Sequence, residues 1–153
     1  KHLHDKLQGA GVRCWFFQES ARTGEPLWGE INKAIRLYDK LVIICSRDSL
    51  QREGVLKEVR EGLQREKGEK LRHLKDEELV AQGKLDPEEF ARRTYRTQVL
   101  FPITIDDYIY DEWVSPYKTE LTNRVVGDFR RWENYKDFNK QFTKLLKDLT
   151  TKP

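Results

Sequence analysis

Few residues in this 153-residue chain have the type and setting to do chemistry. Glu58 is the first of them. It stands one position before Val59 in a helical apolar pattern that begins just past a strongly apolar run, Leu41 to Cys45. A carboxylate there could lean over the crevice at the end of a strand, although pattern alone reads it as a solvated acid on an amphipathic helix. Asp106-Asp107 follow a later apolar run and could contact a cation or a ribose. Acidic residues also close strands by taking turn positions, and that plainer reading is favoured. The histidines, His2, His4 and His73, lie in polar or terminal surroundings with no cysteine nearby, which argues against a metal site. No Ser-His-Asp arrangement can be built from them. Gly9-Ala10-Gly11 is only part of a dinucleotide-binding glycine pattern, and it precedes a strand instead of following one. Cys14 and Cys45 each sit inside an apolar run without a CxxC partner, as buried thiols of a reducing compartment do.

The elements that must position Glu58 alternate between strand and helix. Leu3 and Leu7 are spaced as the tail of a helix, which Gly9-Ala10-Gly11 stops. Val12 to Phe17 reads as a strand covered on both faces, Gln18 to Pro26 as a polar loop, and Leu27, Ile31, Ala34, Ile35 and Tyr38 as an amphipathic helix. Within these, Trp15 and Phe16 read as strand core, and Trp28 as a helix-start residue covering the sheet edge. Leu41 to Cys45 is the clearest buried parallel strand and ends at Ser46. Val55, Val59 and Leu63 then predict a helix from about Ser49 to Glu66, with Gly62 weakening its far end. Residues 65–97 hold 9 Lys or Arg and 8 Asp or Glu, and read as a solvated excursion in which Asp86-Pro87-Glu88-Glu89 starts a helix toward Thr94. Val99 to Ile105 restores a strand. Pro102 implies that its amide is not needed by the ladder or that the strand is ending. An aromatic segment without clear pattern runs to Thr122. Val125 to Phe129 reads as a short edge strand, and Phe138, Phe142, Leu145, Leu146 and Leu149 as a final amphipathic helix. This alternation predicts one α/β domain over residues 1–150, with a parallel sheet whose ligands gather at the carboxyl ends of the strands.

Composition limits the partners. Lys and Arg number 29 against 26 Asp and Glu, for a formal charge of +3, and both signs alternate along the chain. A nucleic-acid surface needs its positive charge gathered on one face, so no nucleic-acid partner is expected. No apolar run reaches the length of a membrane span and no signal peptide opens the sequence, so a cytoplasmic protein without a membrane partner is expected.

Several segments together resemble a TIR (Toll/interleukin-1 receptor) domain: Gly11 to Phe17, Thr23-Gly24-Glu25-Pro26-Leu27, Ile31 to Ile35, Lys40 to Ser46, and Val55-Leu56-Lys57-Glu58-Val59. The late segment Val126-Gly127-Asp128-Phe129-Arg130-Arg131-Trp132 is also similar to the bacterial-type branch of that family. The resemblance implies a flavodoxin-like parallel sheet with helices on both faces. It makes residues 65–97 a charged helical insertion before the fourth strand and places the family's first strand upstream of Lys1. It implies NAD+ as substrate, no cofactor and no metal, with Glu58 as the catalytic glutamate. Trp15, Phe16, Phe17, Gly24, Leu27, Trp28, Ser46 and Gly54 would form the substrate site. A carboxylate placed there stabilises the oxocarbenium-like sugar formed when nicotinamide leaves. Enzymatic members commonly carry Trp four residues before the glutamate, where this chain has Gly54. The resemblance further implies self-assembly through the BB loop, residues 18–27, and a role in prokaryotic immune signalling. A non-catalytic module binding other TIR domains through the same loop is the alternative.

Overall fold

The computed structural model describes residues 2–12 and 40–151. Helix α1 (His2–Gly9) ends as its glycines demand. The Gly11 backbone takes φ +83°, a left-handed conformation open to glycine, and the Val12 amide donates back to the Leu7 carbonyl. Strand β1 (Leu41–Cys45) follows, then a 3-10 turn at Ser49–Gln51, the long helix α2 (Glu53–Ala81) and the short helix α3 (Pro87–Arg92). Next come β2 (Leu100–Thr104), α4 (Tyr108–Asp111), α5 (Lys118–Thr122), β3 (Gly127–Asp128) and α6 (Tyr135–Thr150).

The described strands form one parallel sheet in the order β1-β2-β3. Every residue of β2 is buried, as expected of a strand with neighbours on both edges and helices on both faces. Alternation along the strands divides the core in two. On one face Ile43, Cys45 and Leu100 pack with Val59 of α2, Ile109, Trp113 and Leu121. On the other, Ile103 and Phe129 pack with Phe138 and Leu145 of α6, and Leu3 of α1 joins them. Pro102 pairs with Ile43 in mid-strand, yet its missing N–H does no harm. Its carbonyl accepts from the Val126 amide at 2.9 Å, so its ring nitrogen also faces the β3 side, one residue before that ladder begins at Ile103 and Gly127.

Three expectations change. Helix α2 starts at Glu53, after the separate 3-10 turn, and runs through Glu66 to Ala81 instead of stopping there. Residues 65–81 are rich in Glu, Lys, Arg and Leu and contain no proline, so helical propensity carries the chain onward where the apolar stripe gives no guide. Gly62 is not a weak end but a point of contact, since a Cβ there would lie 2.5 Å from the Leu100 side chain. The expected β3 is shorter than read, and the unpatterned segment before it contains α4 and α5. The expected strand at Val12 to Phe17, except Val12, and the loop and helix up to Asp39 lie outside the described residues.

Candidate functional site

The end of β1 is organised by its own backbone. The Ser46 amide donates to Ser49 Oγ at 2.9 Å, the Ser49 amide donates to Ser46 Oγ at 3.0 Å, and the Ser46 hydroxyl donates to Ser49 Oγ at 3.1 Å. This reciprocal turn reverses the chain into the 3-10 turn and then α2. Ser46 is therefore buried and hydrogen-bonded within the turn. Asp106 serves the same end of the sheet: one carboxylate oxygen accepts the Arg47 amide at 2.9 Å and the other accepts the Tyr108 amide at 3.0 Å. Asp107 pairs with Arg130 at 2.7 Å, and Arg130 also binds Asp128, holding the latter's carboxyl below its usual range. The paired aspartates act as strand-ending residues that tie neighbouring loops together.

Glu58 is of another kind. It lies on the second turn of α2, on the flank of the face that buries Val55 and Val59. Among the described residues no hydrogen bond or ion pair reaches its carboxylate, and burial pushes its pKa up to about 7. A carboxylate that stays near half-ionised at neutral pH, held by desolvation alone, is suited to meeting a positive charge that arrives or develops during a reaction. Gly54 is one helical turn earlier on α2 and offers no side chain to that flank. Cys45 at the end of β1 is a different buried group: its thiol is fully covered and pushed up to about 12, so it stays protonated.

Thus Ser46, Gly54 and Glu58 fall on one continuous segment that turns at the carboxyl end of β1. Trp15, Phe16, Phe17, Gly24, Leu27 and Trp28 lie outside the described residues, as does the loop 18–27. Among the described residues no group of three or more His, Cys, Asp and Glu side chains could hold a metal ion. None of their helices is long and apolar enough to cross a membrane.

A family model described as TIR domain matches residues 1–95, well over half of the chain. The chain belongs to the TIR domain family. No curated protein and no solved structure gives a match. The matched stretch holds β1 and all of α2, hence Glu58; the later elements complete the flavodoxin-like parallel sheet of this TIR domain.

Two clusters in the TIR domain escape sequence reasoning. Glu66 is 1% exposed on α2. Its Oε1 accepts the Val99 and Leu100 amides at 2.8 and 2.9 Å, and Arg124 binds both of its oxygens at 2.7 and 2.6 Å. The signal was the register: Val55, Val59, Gly62 and Glu66 continue one stripe, so Glu66 falls on the buried face. Farther along α2, Asp76 accepts from the Tyr95 hydroxyl and from Arg93 at 3.0 Å, which hold its carboxyl below its usual range. His73 meets the rings of Tyr95 and Phe90 at 4.6 and 5.5 Å. The charged excursion thus has a small core of its own.

Proposed function

We propose that this TIR domain, of the bacterial-type branch, cleaves the nicotinamide–ribose bond of NAD+, with Glu58 as the essential carboxylate. The observation that carries this reading is the Glu58 environment: a desolvated carboxylate, without a cationic partner among the described residues, in a family that includes NAD+-cleaving enzymes. NAD+ brings its own positive charge on the nicotinamide ring. As the C–N bond breaks, the electron pair leaves with neutral nicotinamide and the charge moves to the ribose, where the Glu58 carboxylate stabilises it. Water then adds to the anomeric carbon and loses a proton to give ADP-ribose; attack by an internal nucleophile of the same nucleotide gives a cyclic product. Partial desolvation strengthens this charge–charge attraction, because less water competes for the carboxylate. The remaining substrate contacts fall to Trp15, Phe16, Phe17, Gly24, Leu27, Trp28, Ser46 and Gly54, and no cofactor or metal takes part. The active form is a cytoplasmic assembly of TIR domains joined through residues 18–27, serving prokaryotic immune signalling such as antiphage defence.

The test is nicotinamide release from NAD+ by concentrated or artificially clustered protein. The parent should release it, and Glu58→Ala, folded to the same degree, should lose at least a hundredfold in rate. Equal rates from both would dismiss Glu58. One observation favours a second reading, a TIR module that binds other TIR domains without catalysis: Gly54 leaves no aromatic surface one turn from Glu58. Under that reading the folded, clustered parent releases no nicotinamide while still binding its own kind.

A further inference from the structure

The outer face of α2 carries a repeat unrelated to its buried stripe. Arg60, Gln64, Lys67, Leu71, Leu74, Glu78 and Ala81 follow one another at alternating steps of four and three residues, the heptad spacing of a helix seam. All seven are exposed, and Leu71 and Leu74 keep 57% and 58% of their surface in water. They point away from α3, because His73 and Asp76, on the opposite face of the same turns, make the contacts to Phe90, Arg93 and Tyr95.

This seam is complementary to itself in one orientation. If a second copy of α2 runs antiparallel, with the two-fold axis between positions 72 and 73, Leu71 meets Leu74 of the copy, and Lys67 meets Glu78. The flanking Lys70 then lies beside Glu77 of the copy, and Gln64 beside Ala81. Each contact occurs twice by symmetry, giving two leucine pairs between four Lys–Glu pairs. A parallel pair would instead set Lys67 against Lys67 and Glu78 against Glu78, which like-charge repulsion disfavours. The segment from Gln64 to Ala81 spans about 26 Å of helix at 1.5 Å per residue, enough for the seam to form a left-handed crossing.

We propose that the outer face of α2 is a self-association surface, on which a second copy of this chain docks antiparallel through Leu71 and Leu74 with Lys67 and Glu78 setting the direction. Two leucine layers bury little area, so the contact is weak and reversible on its own, and it strengthens other contacts between copies by raising their effective concentration. It does not depend on NAD+ cleavage.

Sedimentation equilibrium of the whole chain over a wide concentration range, at low and at high salt, tests this. The parent should self-associate, and less so as salt rises. Leu71→Glu should weaken association by tenfold or more, and Lys67→Glu or Glu78→Lys by about tenfold each, since each reversal places like charges together twice. The double variant Lys67→Glu with Glu78→Lys recreates the pairing with signs exchanged and should recover most of the parent's association. All three substituted side chains are exposed, so matched thermal melts confirm that the variants are folded. Association that ignores these substitutions, failure of the double variant to recover, or a parent that stays monomeric throughout would each overturn the proposal.

Discussion

At the scale of single residues, the role proposed for Glu58 sets function against stability. Its pKa is raised by burial from about 4.5 to about 7, so the folded protein holds its proton more tightly than the unfolded chain does. The contribution of Glu58 to stability is therefore fully present below about pH 4.5 and is lost as pH rises through 7, because ionising the folded group then works against burial. Glu58→Gln keeps the shape and cannot ionise. It should match the parent in thermal melts near pH 4 and exceed it at pH 8, by roughly 1–3 kcal/mol. The same variant should fail to release nicotinamide. If Glu58→Gln is no more stable than the parent at pH 8, the carboxylate is better solvated than its position implies. Rates of NAD+ cleavage should rise with pH through about 7, since the ionised form is the one that stabilises a cationic sugar.

At the scale of elements, α2 does two jobs with one helix. Its first half packs Val55, Val59 and Leu63 on the sheet and carries Glu58; its second half leaves the sheet and is braced by α3 and the residues after it. The bracing is local. Asp86 caps α3 by accepting the Glu88 amide at 3.1 Å, Arg93 binds Asp76 and Glu89, and Arg72 stacks over the Tyr95 ring at 4.6 Å. Tyr95→Phe removes the hydroxyl donor to Asp76 while keeping the ring. Hydrogen exchange should then speed up roughly three- to tenfold for amides of α3 and the last turns of α2, while those of β1 and β2 hold their parent rates. Faster exchange in the strands as well would mean that α3, the second half of α2 and the sheet unfold together.

At the scale of the whole molecule, the two core layers are joined through β2, and Glu66 is the knot. It binds the Leu100 amide that opens β2 and the Val99 amide just before it, and through Arg124 it reaches the chain just past α5, so one buried side chain ties α2 to both. Glu66→Ala leaves the part-buried Arg124 guanidinium with only its longer contact to Glu120 at 3.4 Å among the described residues, and leaves the Val99 and Leu100 amides without their acceptor. A loss of about 3–5 kcal/mol is expected, read as a lower midpoint in a single denaturant transition monitored at both the sheet and the helices. A change under 1 kcal/mol would mean that water takes over the role of the carboxylate.

What the sequence determined by itself was whatever is written in short-range pattern. Leu41 to Cys45, a run of β-formers bounded by polar residues, names its strand, and Asp86-Pro87 names the start of α3. Phe138 to Leu149 names α6 by periodicity, because an amphipathic stripe of that length has one good solution. The TIR family was legible in the order of such segments. The tertiary structure decided the rest. Helix α2 runs past Glu66 because charged residues with good helical propensity need no apolar stripe once a partner braces them. Gly62, a weak helix former by propensity, is where Leu100 presses on the helix. Glu66 and Glu58 are both acids on the same helix and look alike in sequence. Only the fold separates them, giving Glu66 an arginine and two strand amides and giving Glu58 a desolvated setting with no cation beside it among the described residues, because burial and partners depend on what packs across from a residue and not on the residues beside it.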